Sequence, residues 1–430
     1  MRTRTFWILA GLTALGVALR FATLGLQSYH HDEIVTASRV LRVGFGHAMD
    51  AVGFSESAPP LYYALAWIWT QVVGTGPWGL RSLSALAGIA TIPVAYLVGR
   101  ELRGARTGYL AAALVAVNPM LIWYSQEARA YALMALFCAL SLLYCVRALR
   151  DGRRRDFTLW GVWSALALAT HYFAVFPLAA EVLLLLRRRG RAALAGLWIV
   201  GLAALLLAPL VIHQMSYGHA EWIGKFSLGH RLGETAITFV VGETGDIIGR
   251  VEQPEPAFLP LALVLAAFVL LWARGSREEK RAGAVPLAVG AFTLGVPLLV
   301  AVVSASRDFV LARNLLPALV PLLLAVAVAL TVARARRLGT ALAALLVAYS
   351  LAFSVWVNFD ADLQRPDWSA VADHLGEPDG PRATVTWVLG EAPLRYYLST
   401  GAIQLKASEG YDWLVREVTF VSEGPAAPPP

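Results

Sequence analysis

Asp32 and Glu33 stand side by side just beyond the first long apolar stretch of a chain in which only 15% of residues are charged. A carboxylate at the mouth of a helix bundle can take a proton from a water-borne hydroxyl, and partial desolvation raises its proton affinity. Neighbours on a helix point about 100° apart, so one acid of the pair faces a cavity while the other binds substrate or holds the local structure. The plainer alternative is a helix N-terminus, where acids complement the dipole, since residues 32–41 read as helical. His30 and His31 precede the pair. A divalent metal held by them is the less favoured alternative, because adjacent histidines point apart on most backbones.

The second group lies in Asn118-Pro-Met-Leu-Ile-Trp-Tyr-Ser-Gln-Glu-Ala-Arg-Ala-Tyr131. Glu127 and Arg129 sit at the mouth of an otherwise apolar helix, where ionisable groups face a cavity or a partner. Arg129 with Tyr124 and Gln126 suits a phosphate group; the alternative is a Glu127–Arg129 surface pair. Arg313 lies within an apolar run and needs a counter-charge. Lys225 and Arg231, in the long loop 214–257, add positive charge on the same side. His171, between Thr170 and Tyr172, closes a helix end. Tyr62 and Tyr63 follow Glu56-Ser-Ala-Pro-Pro and lie near Trp67 and Trp69, a pattern that also describes an interfacial aromatic anchor.

Positioning such groups falls to helices in a membrane. Of 430 residues 58% are hydrophobic, and the mean hydropathy is +0.60. Spanning stretches read as Phe6–Leu26, Trp78–Gly99, Thr107–Asn118, Ala128–Arg147, Phe157–Thr170, Phe173–Leu186, Leu194–His213, Phe258–Ala273, Ala284–Ser304, Phe309–Val332 and Leu338–Val357. The fold class is thus an all-α polytopic membrane protein of about eleven transmembrane helices. The first stretch reads as a retained helix, since it is too long for a signal h-region and lacks a cleavage site before His30. Cys138 and Cys145 lie about 10 Å apart in rise on one helix and cannot pair with each other.

The net charge of +7 does not call for nucleic acid. The arginines bunch at Arg100–Arg106, Arg147–Arg155, Arg187–Arg191, Arg274–Arg281 and Arg334–Arg337, the pattern that keeps loops cytoplasmic. All five clusters share one side only if Pro59–Gly74 does not cross, so that stretch is expected to lie in the interface as an amphipathic helix. The acids, Arg129, His171, loop 214–257 and Arg313 then share the outer face. Residues 1–357 form the transmembrane catalytic domain on this reading. Residues 358–430 form a small outer α/β domain with helices Trp368–Leu375 and Ala392–Ser399, strands Ala383–Leu389 and Val415–Val421, and a Pro-rich end.

Asp32-Glu33 after the first helix, Pro59-Pro-Leu-Tyr-Tyr63, Leu80-Arg-Ser-Leu-Ser84, Tyr124-Ser-Gln-Glu-Ala-Arg-Ala-Tyr131 and Thr170-His-Tyr172, in this order, resemble the bacterial glycosyltransferase family 39 proteins. These are relatives of protein O-mannosyltransferases and of the aminoarabinose transferase of lipid A. Glu221-Trp-Ile223 and Arg365-Pro-Asp-Trp368 are weaker echoes. The likeness covers roughly residues 1–230. Ala58 and His31 depart from it, standing where the family often has His and an aromatic.

The resemblance implies a GT-C fold with a large first outer loop and an outer-facing cavity in the plasma (bacterial inner) membrane. It implies a polyprenyl-phosphate monosaccharide donor, an acid of the Asp-Glu motif as base, and inversion at the anomeric centre. Acceptors of this class are lipids, glycans or proteins, and no cofactor is implied. On that basis Asp32 is the candidate base and Glu33 supports the acceptor. Arg129, then Arg313 and Lys225, are candidates for the donor phosphate, and Tyr62, Tyr124, Gln126, Glu127 and His171 for substrate. The leaving phosphate is a stable anion, so charge stabilisation matters more than a general acid. A transporter or flippase of lipid-linked glycans is the competing class, but its charges gather at mid-membrane. Glycan ligases and polymerases depend on other arginine and histidine loops.

Overall fold

The computed structural model describes residues 2–41, 44–217, 223, 226–243, 254–304, 309–376, 382–386, 388–398, 405–407 and 419–423. Each of the expected apolar stretches carries helix. Helix α1 spans Arg2–Phe21. Three short helices fill the first outer loop: α2 (His31–Val35), α3 (Phe45–Ser55) and α4 (Leu61–Val73). At 1.5 Å per residue α4 is about 20 Å long, short of a roughly 30 Å hydrocarbon core.

Helix α5 (Pro77–Arg103) starts on a proline, which suits a first turn, and stops at Gly104, whose φ of 92° favours glycine. Helices α6 (Ala105–Val117) and α7 (Pro119–Ser125) meet at a 58° bend. Asn118 fixes it by accepting from the Leu121 amide at 3.0 Å. There follow α8 (Tyr131–Asp151), α9 (Arg154–Thr170), α10 (Val175–Arg189) and α11 (Leu194–Met215). Helix α12 (Leu228–Val241) lies in the region read from sequence as a long loop. The bundle closes with α13 (Glu255–Arg274), α14 (Arg277–Ser304), α15 (Leu319–Leu330) and α16 (Arg336–Trp356).

By length and composition seven stretches among the described residues suffice to cross a membrane, or eight with the bent pair counted as one. That tally takes α10 and α11 together as one run and omits the shorter α15. The expected span Phe309–Val332 is helical only from Leu316, where Pro317 sits in a first turn. Residues 312–315 form a turn instead, and Arg313 lies on it.

Packing is tightest where small residues let backbones touch. A Cβ on Gly108 of α6 would lie 2.6 Å from the Tyr96 carbonyl of α5, and one on Gly196 of α11 would lie 2.2 Å from the Phe157 carbonyl of α9. All five arginine clusters meet at one end of this bundle. Arg103 pairs with Glu279, and Arg147 donates to Glu101 at 3.1 Å. Arg106 donates to Thr340 at 2.8 Å, and Arg189 to the Leu149 carbonyl at 3.1 Å. Arg81, in the second turn of α5, lies about 33 Å along the helix axis from Arg103. The acids and the basic loops therefore occupy opposite ends.

Beyond α16 come α17 (Trp368–Leu375) and α18 (Val388–Tyr397), with strands β1 (Arg382–Thr386), β2 (Leu405–Ala407) and β3 (Thr419–Glu423). The sheet is antiparallel in the order β1-β3-β2. Relative to expectation, the first strand ends three residues early because α18 begins at Val388, and β2 is additional. The segment docks on the first outer loop. Ser28 Oγ donates to the Pro366 carbonyl at 3.0 Å, and Tyr397 OH accepts from the Tyr29 amide at 2.7 Å.

Candidate active site

Four carboxylates and four arginines from distant parts of the chain pair at the end opposite the basic loops. Glu33 is the third residue of α2, and its carboxylate accepts from the His30 amide at 3.0 Å, so the capping role does hold for this acid. It also takes a two-pronged contact from Arg81, at 2.8 Å (Nε) and 2.7 Å (Nη2), and the Ala128 amide at 2.8 Å. Arg81 turns its remaining donors to the carbonyls of Leu24, Gln27 and Ser28. Glu33 is fully buried. Its carboxyl sits below the usual range: burial opposes ionisation, but Arg81 outweighs it.

One position back, Asp32 points elsewhere, as the helix geometry requires. Its Oδ2 meets Arg313 Nη1 at 2.9 Å, with the side chains 26% and 24% exposed. Burial raises its proton affinity, yet Arg313 and then Arg129 hold the carboxyl well below the ordinary carboxylate range. The third pair joins Arg129 Nη1 to Glu56 Oε2 at 2.8 Å. Arg129 also donates to Thr36 Oγ1 at 2.9 Å and approaches the Asp32 carbonyl at 3.5 Å. Glu56 accepts from Tyr63 OH at 2.7 Å, while its Oε1, buried, has no partner among the described residues.

Arg365 completes the set from 338 residues beyond Gln27, to whose side chain its amide donates. Its guanidinium lies 4.4 Å from the Trp123 ring centroid and donates to Glu127 at 3.1 Å and to the Gln126 carbonyl at 3.0 Å. Burial pushes the Glu127 carboxyl up to about 7 against the pull of Arg365, with Glu33, Glu243 and Asp32 adding to the rise.

These pairs differ in strength by their exposure. Removing one partner of a sealed pair such as Glu33–Arg81 costs about 3–5 kcal/mol, because a bare charge is left buried. The Asp32–Arg313 pair, a single contact with both side chains about a quarter exposed, is weaker than the sealed ones.

The other expected residues take mixed positions. Tyr124 is buried with its hydroxyl unpartnered among the described residues, its ring 4.8 Å from Tyr131. His171 continues that row, 5.2 Å from Tyr131. Its Nδ1 accepts from the Phe173 amide at 3.3 Å, and burial, then Arg129 and Arg313, push it down to about 3, leaving it neutral. Gln126 faces α1 instead, donating to the Leu19 and Arg20 carbonyls and to Thr23 Oγ1 at 2.8 Å. Tyr62 is fully buried, 3.5 Å from Ser84 Oγ. Arg231, expected in an open loop, is buried in α12 and donates to the Val310 carbonyl at 2.9 Å. Lys225 lies outside the described residues. His31 Nδ1 is buried with no partner among them, and no group of three or more His, Cys, Asp and Glu there is placed to hold a metal.

Arg81, Glu56 and Arg365 had no role assigned from sequence. Arg81 carried a signal, being a charge in the second turn of an apolar helix where a counter-charge is required. Arg365 and Glu56 carried none beyond their place in the quoted strings.

Residues 57–213 match the family model described as dolichyl-phosphate-mannose-protein mannosyltransferase. The match begins one residue after Glu56 and ends within α11, leaving Asp32, Arg313 and Arg365 outside it. No curated protein matches the chain. Among solved structures, the Archaeoglobus fulgidus oligosaccharyltransferase is similar at 14% identity and a TM-score of 0.48, covering 92% of this chain. The chain spans only 59% of that protein's length. ArnT from Cupriavidus metallidurans is similar at 15% identity and a TM-score of 0.38, covering 99% of this chain and 100% of that one. The arabinosyltransferase EmbB of Mycobacterium smegmatis is similar at 15% identity and a TM-score of 0.45, covering 91% and 40%. The family match thus falls on four of the five strings that carry the resemblance, from Pro59-Pro-Leu-Tyr-Tyr63 to Thr170-His-Tyr172, and leaves Asp32-Glu33 outside it.

Proposed function

We propose that this protein moves a monosaccharide from a polyprenyl-phosphate donor to an acceptor hydroxyl, with inversion, on the extracytoplasmic face of the plasma membrane. The observation that carries the reading is the Asp32–Arg313 pair. It is the only one of the four carboxylate–arginine pairs with both side chains open to solvent. A base and an anion-binding cation are thus presented together. The family description supports a lipid-phosphate-linked mannose as the class of donor. The five basic clusters at the far end support the orientation.

In the step proposed, the acceptor oxygen bonds to the anomeric carbon and its proton passes to the Asp32 carboxylate. The bond from that carbon to the phosphate oxygen breaks, and its electron pair stays on the leaving polyprenyl phosphate. Arg313, the more open cation, stabilises that phosphate. Arg129, tied to Glu56 and Thr36, holds the wall behind it. Glu33 is a positioning residue on this reading: locked to Arg81, it fixes the helix from which Asp32 projects. Acceptor hydroxyls of lipids, glycans or proteins satisfy the same chemistry.

The test is transfer by the purified protein from a panel of radiolabelled polyprenyl-phosphate sugars. Asp32→Asn is expected to lower turnover by about 10²–10⁴-fold, the range of a positioned general base. Full turnover in that variant removes Asp32 as base. No transfer from any donor, with glycolipid flux across vesicles, replaces the enzyme with a flippase.

A further inference from the structure

A base held close to an arginine is a poor base. Asp32 in this state keeps its negative charge too well stabilised to draw a proton from a hydroxyl, so something must loosen that contact before chemistry. The other pairs are closed: Arg81 and Glu33 are 1% and 0% exposed, and Arg365 and Glu127 5% and 6%. Arg129 is 14% exposed, but its partner Glu56 is sealed at 3%. Asp32–Arg313 alone is open on both sides, through one contact of 2.9 Å.

Arg313 also differs in what carries it. Arg81 sits on a 27-residue helix, whereas Arg313 sits on the turn that precedes α15. Arg313 meets one oxygen of the Asp32 carboxylate, whereas a phosphate offers oxygens that match a guanidinium's fork in a two-pronged contact.

We propose that the donor phosphate opens this pair: it takes Arg313 from Asp32, and the carboxylate, stripped of its nearest cation, becomes competent as the base. The inference rests on the reading of the site as polyprenyl-phosphate dependent. The exchange makes proton affinity at residue 32 conditional on an occupied donor site, so water meets a weak base whenever the site is empty. After transfer, Asp32 carries the acceptor's proton and Arg313 the phosphate product. Departure of that product returns Arg313 to Asp32 and drives the proton off to solvent. Arg129 stays throughout, because Glu56 and Thr36 hold it.

The test is a binding cycle with undecaprenyl phosphate as probe, on full-length protein in detergent. If Asp32 competes for Arg313, Asp32→Asn binds the probe tighter, by about three- to tenfold for a partly exposed pair. Arg313→Gln binds it more weakly. The double variant binds no tighter than Arg313→Gln, because the competition has been removed. Simple repulsion between carboxylate and phosphate predicts otherwise: the gain from Asp32→Asn then survives in the Arg313→Gln background. That result, or an affinity unchanged or weakened by Asp32→Asn, overturns the exchange while leaving the proposed activity standing. Failure of the unaltered protein to bind the probe removes both. Asp32→Ala serves as second variant where Asp32→Asn does not yield folded protein.

Discussion

Glu33→Gln and Asp32→Asn, adjacent and alike in chemistry, are expected to part company in a thermal melt. Glu33→Gln leaves the Arg81 guanidinium buried among carbonyls without its carboxylate, a loss of about 3–5 kcal/mol. Asp32→Asn breaks a partly exposed contact and costs less than Glu33→Gln. Equal shifts in the two midpoints contradict this division. Glu127 gives a second residue-level expectation. Its folded carboxyl, near 7, lies above the ordinary 4.5, so the folded state binds the extra proton between those values and stability falls as pH rises through that window. The Glu127→Gln variant should lack this component of the slope between pH 4.5 and 7, and an unchanged slope refutes the assignment. What the sequence disclosed at this scale were isolated charges in apolar surroundings. Asp32, Arg129 and Arg313 stand out because lipid offers them nothing. Their partners did not stand out: Glu33 and Arg81 are 48 residues apart, and no period in the chain links such positions. The packing of Gln126 against α1 was equally hidden, since its amide answers carbonyls that only the folded helix end presents.

Between elements, the decisive contacts are backbone against backbone. Gly108→Ala should force α5 and α6 apart, since the new carbon meets the Tyr96 carbonyl at 2.6 Å. Gly201→Ala, with nothing within 4 Å, should show no loss and is the matched control. Thermal midpoints in detergent compare them, and equal behaviour sinks the idea that this crossing depends on glycine. Helix positions were legible because hydropathy alone marks long spans. Boundaries were less so where proline and turn chemistry intervene, as in the late start of α15. Helix α12 escaped notice because its polar positions broke the apolar run, although Arg231 and Glu234 are both buried in the fold. In the carboxy-terminal part, alternation located β1 and β3, while the three residues of β2 were too short to show a period.

For the whole molecule, orientation is the expectation to test. Ser57, exposed beside Glu56, and Arg153, 75% exposed at the opposite end, mark the two faces. Ser57→Cys should react with an impermeant maleimide on intact cells, and Arg153→Cys only after permeabilisation. The native Cys138 and Cys145 are buried, so they leave the readout clean. The reverse pattern puts Asp32 on the cytoplasmic side and ends the proposed function. The five arginine clusters at one end are what support this polarity, since charge bias in short loops is a whole-chain signal.

The gathering of four acids among four arginines, with Arg365 also 3.8 Å from Glu33, has a kinetic corollary. Opposite charges so closely joined cancel within a few ångströms, and beyond a Debye length of about 8 Å a dissolved anion senses little of them. Long-range steering, which speeds capture in charged clefts and fades with salt, is therefore weak at this mouth. On the proposed function, a phosphate delivered on a lipid tail needs no such pull, because two-dimensional diffusion already confines it to the right depth. Encounter should then follow how densely the carrier populates the leaflet and stay nearly flat as ionic strength rises.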